Sequence, residues 1–326
     1  MKFSAVHITD MKTILALLLA VFSGVSFSQA YPTKPVRLII PFPPGGSNDV
    51  VGRAIGQQLG ERLGQSVVID NRGGAGGVIG TNEAAKAAPD GYALLLISTA
   101  FPTSIAFDRL PQDAMKSFTP VAMLGSGPAL LVVPAASPAN SVRDLLNSLR
   151  EKPGELNAAA AGIGSFQHMA TELFRLQSKT NFVIVQYKGG GPALTDTIGG
   201  QVHFNLGSLV QMVPHVRSGK LKALGVSSAK RVPAMPEVPT IAEAGVPGYE
   251  VSNWWGILAP AGTPAPVLER LYREITAIQD SPETRKRFEL EGAEVVRMKP
   301  AEFATFVTQE TQKWTRVVKE AGIKPE

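Results

Sequence analysis

The sequence predicts an α/β protein with two lobes, and three observations carry that prediction. Short apolar runs bounded by proline or glycine alternate with helix-period segments, which is the pattern of strands paired in parallel. Two clusters of this kind are separated by PALLVV (128–133) and rejoined at NWWGILAP (253–260), so the chain crosses twice between two sheets. Glycine-rich loops sit where strands hand over to helices, the places where open α/β sheets hold ligands. The lobes are read as 31–128 plus 253–326 and 129–252, with a leader over 1–30.

VRLIIPF (36–42) is a continuous apolar run, as expected for a strand buried on both faces. After PPGG, residues Val51, Ile55, Leu59 and Leu63 recur every fourth position and define a helix, with Ser47 or Asn48 placed to cap it. VVID (67–70) is the next strand, GGAGGVIG (73–80) opens a small-residue helix, and YALLLIST (92–99) follows the Pro89-Asp90-Gly91 turn as a third strand. The second cluster holds PALLVVP (128–134), a capping-box helix from Ser141 to about Arg150, a helix opened by GIGS, then VIVQY (183–187), the GGGPALTDTIGG helix, VHFNL (202–206) and LKALGVS (221–227). A proline- and glycine-rich connector leads to NWWGILAP. From Val267 on, the chain is helical and charged, and these helices are expected to cover the first lobe's sheet.

The bulk numbers narrow the function classes. The 326 residues are 44% hydrophobic and 18% charged, enough for a large core. No cysteine is present, which removes disulfides, thiolate metal sites, thiol nucleophiles and cysteine lipid anchors. The formal charge of +5 is spread along the chain without blocks of like charge, and aromatics are sparse, so neither a nucleic-acid footprint nor a base-stacking platform is expected. ILALLLAVF (14–22), preceded by Lys12 and followed by Ser28-Gln29-Ala30, has the layout of a cleavable secretory signal and is short for a membrane anchor. Met11 reads as the better start, with residues 1–10 an upstream extension. An exported, soluble chain from Tyr31 is expected.

YPTKPVRLIIPFPPGGSNDVVGR, VVIDNRGGAGGVIGTNEAAKAAPDGY, VQYKGGGPALTDTIGGQV, SGKLKALGVSSAKR, PEVPTIAEAGVPGYE and WWGILAPAGTPAPV closely resemble the Bug/TctC family, the periplasmic solute receptors of tripartite tricarboxylate transporters. The resemblance runs in order along essentially the whole mature chain. It implies the two-lobed type II periplasmic-binding-protein fold (a Venus flytrap), closure around a small organic carboxylate, delivery to a two-component membrane permease, a monomer, a periplasmic location, and no cofactor or metal.

The loops fit that chemistry. Prolines 41, 43 and 44 stiffen the first strand–helix bend, and Gly45 and Gly46 let backbone approach a ligand at a helix start, where free amides favour a carboxylate. The same argument covers Gly76 and Gly77, and Gly162, Gly164 and Ser165. The sequence offers amide-rich loops rather than an arginine clamp. Taken alone, each glycine could be no more than a tight-turn solution. The resemblance assigns Phe42, Pro43, Gly45, Gly46, Gly76 and Gly77 to the site, with Ser98, Thr99 and Ala100 at the third strand's end and Tyr187 and Gly189 at the equivalent place in the other lobe. A strand-end tyrosine can equally pack, and His168 can equally cap or pack as touch ligand. Asp49, at a helix start, is expected to order its loop rather than bind an anion. Many relatives carry Asp where Gly207 stands; its loss is expected to disfavour amino acids and to make room for a bulkier or more anionic ligand.

Two rivals remain. A sensing receptor that presents its ligand to a membrane sensor kinase would share the fold. An α/β enzyme finds little vocabulary: Ile79 replaces the last glycine of G-x-G-x-x-G counted from Gly74, no phosphate-binding G-x-x-x-x-G-K-[ST] or nucleophile-elbow G-x-S-x-G occurs, and His168, His203 and His215 lack zinc spacing.

Overall fold

The computed structural model describes residues 31–320 and 322–323; the expected leader, with its extension over 1–10, lies outside the described residues. The first sheet starts with β1 (Val36–Ile40), α1 (Ser47–Leu63), β2 (Val67–Asn71), α2 (Val78–Ala85), β3 (Ala93–Ser98) and the short α3 (Ala100–Ala106). β1 pairs in parallel with β2 on one side and β3 on the other, as the apolar runs require. Leu38, Ile39 and Ile40 are fully buried, and Val51, Ile55, Leu59 and Leu63 of α1 turn inward. Fully burying each such side chain contributes about 1.5–3 kcal/mol, so these two periodicities together fix the layer.

β4 (Phe118–Pro134) is a single 17-residue strand, longer than the PALLVVP run suggested. The sequence FTPVAMLGSG in its first half carries a proline and two glycines, which hide it from a propensity reading. Residues 118–128 pair with β9 (Ser252–Pro260), and residues 129–134 pair with β7 (Phe204–Ser208) and β8 (Leu221–Val226). Its register shifts between Pro120 and Ala122, between Met123 and Gly125, and again between Leu131 and Val132. The strand order is β2-β1-β3-β9-β4-β7-β5-β6, where β5 is Asn157–Ala160 and β6 is Val183–Gln186. Pairing is parallel within β2-β1-β3 and within β7-β5-β6. β9 runs antiparallel to β3 and β4, and β4 antiparallel to β7 and β8.

The second sheet carries α4 (Val142–Glu151), α5 (Phe166–Ser178), α6 (Gly190–Ile198) and α7 (Leu209–Arg217). Ser141 caps α4 by accepting from Asp144 N at 3.1 Å, and the Asp144 carboxylate accepts from Asn140 N, closing the expected box one residue early. The chain ends with α8 (Ala265–Asp280), α9 (Pro282–Leu290), the two-residue β10 (Glu294–Val295) on β4, and α10 (Pro300–Glu320). α10 reaches further than a cover for the first sheet. Phe303 and Val307 pack in the first core, with Trp254 edge-on to Phe303 at 5.9 Å, whereas Trp314 belongs to the cluster holding Phe166, Met169 and Phe174. Buried Glu310 joins the two, accepting from the indoles of Trp254 and Trp314 at 3.1 Å each.

Candidate ligand-binding site

The glycine loops meet in one place. Pro43, Pro44, Gly45 and Gly46 at the start of α1 face Gly189, Gly190 and Gly191 at the start of α6, close enough that a Cβ on Gly191 would run into the Pro44 carbonyl. Gly76 has φ +67°, a conformation L side chains rarely adopt, and a Cβ there would strike the Ile163 carbonyl oxygen. The 162–165 loop is held from the first half directly: Arg109 Nη1 donates to Ile163 O at 2.9 Å, and the Thr103 hydroxyl donates to Gly164 O.

Between these loops lies a narrow cavity. Its polar walls are Asn48, Ser47, Ser98 and Asn253 from the first half, and Ser165, Gln167, Ser208 and Gln211 from the second. Phe42, Gly46, Ala100, Ala161, Phe166 and Gly190 complete it, and no lining residue is ionisable. A smaller void shares the Phe42, Ser98 and Ala100 wall and is backed by Gly76 and Gly77. A wider groove lies by Ser126–Pro128 and α9; of its charged residues, Arg285 is engaged with Gln279 O and Asp280, and Glu294 with Ser126.

α1 has no side-chain cap. Its N-cap is Gly46, and the expected capping residues Ser47 and Asn48 are its first helical residues. Asn48 is committed elsewhere: its Oδ1 accepts from Trp255 Nε1 at 3.1 Å and its Nδ2 donates to Ser98 Oγ at 3.3 Å. The first N–H groups of an α-helix have no intrahelical acceptor, so Ser47 and Asn48 present amides at the cavity, reinforced by the helix dipole. Asp49 holds the loop from behind. Its carboxylate accepts from Gly45 N at 3.0 Å, from Asn71 and from Arg53. Burial pushes its pKa up, but the hydrogen bonds from Arg53, Gly45 and Asn71 outweigh that and hold it below the ordinary 3.8.

Of the sequence-predicted residues, Phe42, Gly46, Ser98, Ala100 and Ser165 line the main cavity, and Gly76 and Gly77 line the smaller void. Gly45, Gly162, Gly164, Pro43 and Gly189 shape the contact between halves instead. Thr99 is fully buried, its N–H donating to Asn253 Oδ1 at 3.4 Å. Tyr187 stands outside both voids: it packs on Ala159, Ala193 and Val202 and donates its hydroxyl to Asp196 at 2.8 Å. Burial and that carboxylate push its pKa up to about 12.

His168 packs rather than lines the cavity. Its Nδ1 accepts from Gly164 N at 3.3 Å, its ring lies 5.9 Å from that of Phe107, and its Nε2 is 3.7 Å from Glu172. Burial, then Arg175 and Arg109, lower its pKa to about 4, so it is neutral. Gly207 corrects an expectation: the space an Asp would enter is not open to ligand, because the Met212 methyl fills it, with Gln167 Nε2 3.0 Å from where a Cβ would stand. Sequence reasoning missed Asn48, Gln167, Ser208, Gln211 and Asn253 as wall residues; the available signal was polar amides inside otherwise apolar elements (SFQHM, LVQMV, SNWWG).

Residues 51–323 match the tripartite tricarboxylate transporter family receptor, TctC. Protein BugT of Bordetella pertussis is 38% identical over 300 residues, covering 91% of this chain and 92% of that one. Among solved structures, the periplasmic binding protein BugD superposes with TM-score 0.86 at 33% identity, covering 90% of this chain and 99% of that one. Rpa4515 of R. palustris with adipate gives 0.86 at 36% identity over 91% and 100% of the two chains. MatC of Rhodopseudomonas palustris with bound malate gives 0.83 at 34% identity over 88% and 100%. The fold is therefore the two-domain α/β fold of periplasmic binding proteins, and the family is one of solute-binding receptors, not enzymes. This chain belongs to the tripartite tricarboxylate transporter receptor family, TctC.

Proposed function

We propose that the chain is a periplasmic receptor that captures a small organic carboxylate between lobes formed by 31–128 plus 253–326 and by 129–252, and delivers it as a monomer to a two-component membrane permease. The observation that carries the reading is a buried cavity with no ionisable lining, walled by amides and hydroxyls and set at the uncapped start of α1. A carboxylate there is held by backbone N–H and serine O–H donors, which in a water-excluded site act without a formal cation. The similar structures of Rpa4515 with adipate and of MatC with bound malate hold carboxylates, which supports a carboxylate here. Phe42, Gly46 and Ser98 would position the anion on the first lobe, with Gly76 and Gly77 backing the adjoining void, and closure would bring Ser165, Gln167 and Gln211 over it. The ligand shifts the open–closed balance only by its extra contacts in the closed state.

A thermal-shift screen tests this. The purified protein is unfolded and refolded to strip carried-over ligand, then heated with mono-, di- and tricarboxylates, amino acids and sugars. A ligand at one hundred times its dissociation constant should add about 2.7 kcal/mol. Melting temperature is expected to rise with one or a few carboxylates and not with sugars. A response to sugars alone would overturn the reading.

A further inference from the structure

The two walls of the cavity differ in the sign of the hydrogen-bonding groups they leave free. Resting on the carboxylate-receptor reading above, we propose that the ligand carries a neutral hydrogen-bond donor, a hydroxyl or carboxamide, at the end facing Gln167 and Gln211.

The amide orientations are fixed by their partners. Gln211 Nε2 lies 2.7 Å from Gly190 O, a carbonyl that can only accept, so the nitrogen must be on that side and Oε1 on the other. Gln167 is set by a chain: Thr197 donates to Ala193 O at 2.7 Å, so it accepts from Asn205 Nδ2 at 3.0 Å, and Asn205 Oδ1 then accepts from Gln167 Nε2 at 2.8 Å. That leaves Gln167 Oε1 free as well. No described residue donates to either oxygen, although both side chains are only 4% exposed. The oxygens converge: a Cβ on Gly190 would stand 2.9 Å from Gln211 Oε1 and 3.2 Å from Gln167 Oε1.

The opposite wall is donor-rich. Ser98 Oγ already accepts from Asn48 Nδ2 and from Ala100 N, so its proton is left to give. Between the two walls, Ser208 on the glutamines' own half accepts from Asn253 Nδ2 of the first half at 3.1 Å, so its proton too is left to give. A carboxylate suits that wall and not the glutamine oxygens, against which its own oxygens would be two more unpaired acceptors. An ammonium there would be buried without a countercharge, since no carboxylate lines the cavity and Asp49 is spent on Gly45, Arg53 and Asn71. A hydroxyl or carboxamide satisfies both oxygens at no charge cost.

Calorimetric titration of the refolded protein at pH 7.5 with matched acids tests the inference: 4-hydroxybutyrate and succinamate against butyrate and succinate, and 5-hydroxyvalerate and glutaramate against valerate and glutarate. The donor-bearing member of each set is expected to bind at least about tenfold tighter, the order of discrimination when a site built to pair a polar group meets an analogue lacking it. In Gln167→Leu and Gln211→Leu that ratio should fall toward one, with melting temperature reporting whether each variant is folded. Equal or tighter binding of succinate or glutarate by the unaltered protein would overturn the donor assignment and leave the carboxylate reading standing. Binding of none of the eight acids would overturn the donor assignment, and if no carboxylate of the thermal screen raises the melting temperature either, the carboxylate reading falls with it.

Discussion

The Pro41–Asp49 loop is tied down within its own half, by Asp49 on Gly45 N, Asn71 on Phe42 O and Asn48 between Trp255 and Ser98. The Gly162–Ser165 loop has inner anchors too, the Ser165 cap and the His168 imidazole, but its Ile163 and Gly164 carbonyls take their hydrogen bonds from Arg109 and Thr103 across the cleft. One wall is held entirely by its own half, whereas the other takes part of its hydrogen bonding from the facing half, so any separation of the halves would cost the second loop contacts that the first keeps.

Four substitutions break or sharpen this contrast. The largest effect is expected from Gly191→Val, whose side chain would meet the Pro44 carbonyl only when the halves meet. Ligand affinity should fall about a hundredfold or more, roughly 3 kcal/mol, while melting temperature without ligand changes little and small-angle scattering reports a more open particle. Next is His168. Its pKa near 4 in the fold, against 6.5 unfolded, means the unfolded chain takes up the proton first, so stability falls as pH drops from 6.5 to 4. The loss over that window is about 3 kcal/mol, and urea titrations at pH 7.5, 5.5 and 4 should show that part of the slope vanish in His168→Gln.

Asp49→Asn tests the tied-down wall. A carboxylate held below 3.8 contributes stability that is present above its unfolded value and lost as pH falls through the lowered one. The variant should cost about 1–2 kcal/mol at pH 7, and the gap to the unaltered protein should close below the ordinary carboxylate range. The smallest effect belongs to Arg109→Ala. Removing the donor to Ile163 O should weaken every ligand by about three- to tenfold, mostly through faster dissociation seen in stopped flow, because the contact does not touch ligand.

Much of the fold was legible because periodicity is a local property. The every-fourth pattern of Val51, Ile55, Leu59 and Leu63 and the apolar run at Val36–Ile40 each name their element without reference to anything distant. Asn157–Ala160 was not legible, since NAAA has no β propensity and becomes a strand only by lying between β6 and β7. Leu209–Arg217 was hidden by Pro214 within the helix. In the site, the glycines marked where backbones approach, but not which of them face ligand and which face each other. Tyr187 illustrates the limit: a strand-end position fixes where a side chain starts, and Asp196 nine residues on decides where it goes. Gln167 and Gln211 became meaningful only through Asn205, Thr197 and Gly190, partners that no spacing in the chain announces.

The place of β9 has a consequence for the order in which the protein can be made. In the sheet it lies between β3 and β4, yet in the chain it follows every strand of the second sheet. As the polypeptide emerges from its N-terminal end, β4 to β8 are all available to one another before β9 exists, whereas β3 must wait with an open edge for a partner. The second sheet is thus the part that can assemble first, and the first sheet, which carries the tied-down Pro41–Asp49 loop, is finished by its C-terminal arrivals, β9 and then the helix bearing Phe303 and Glu310. A chain cut short before Trp254 would therefore lack the strand that joins β3 to β4 while retaining the strands of the second sheet.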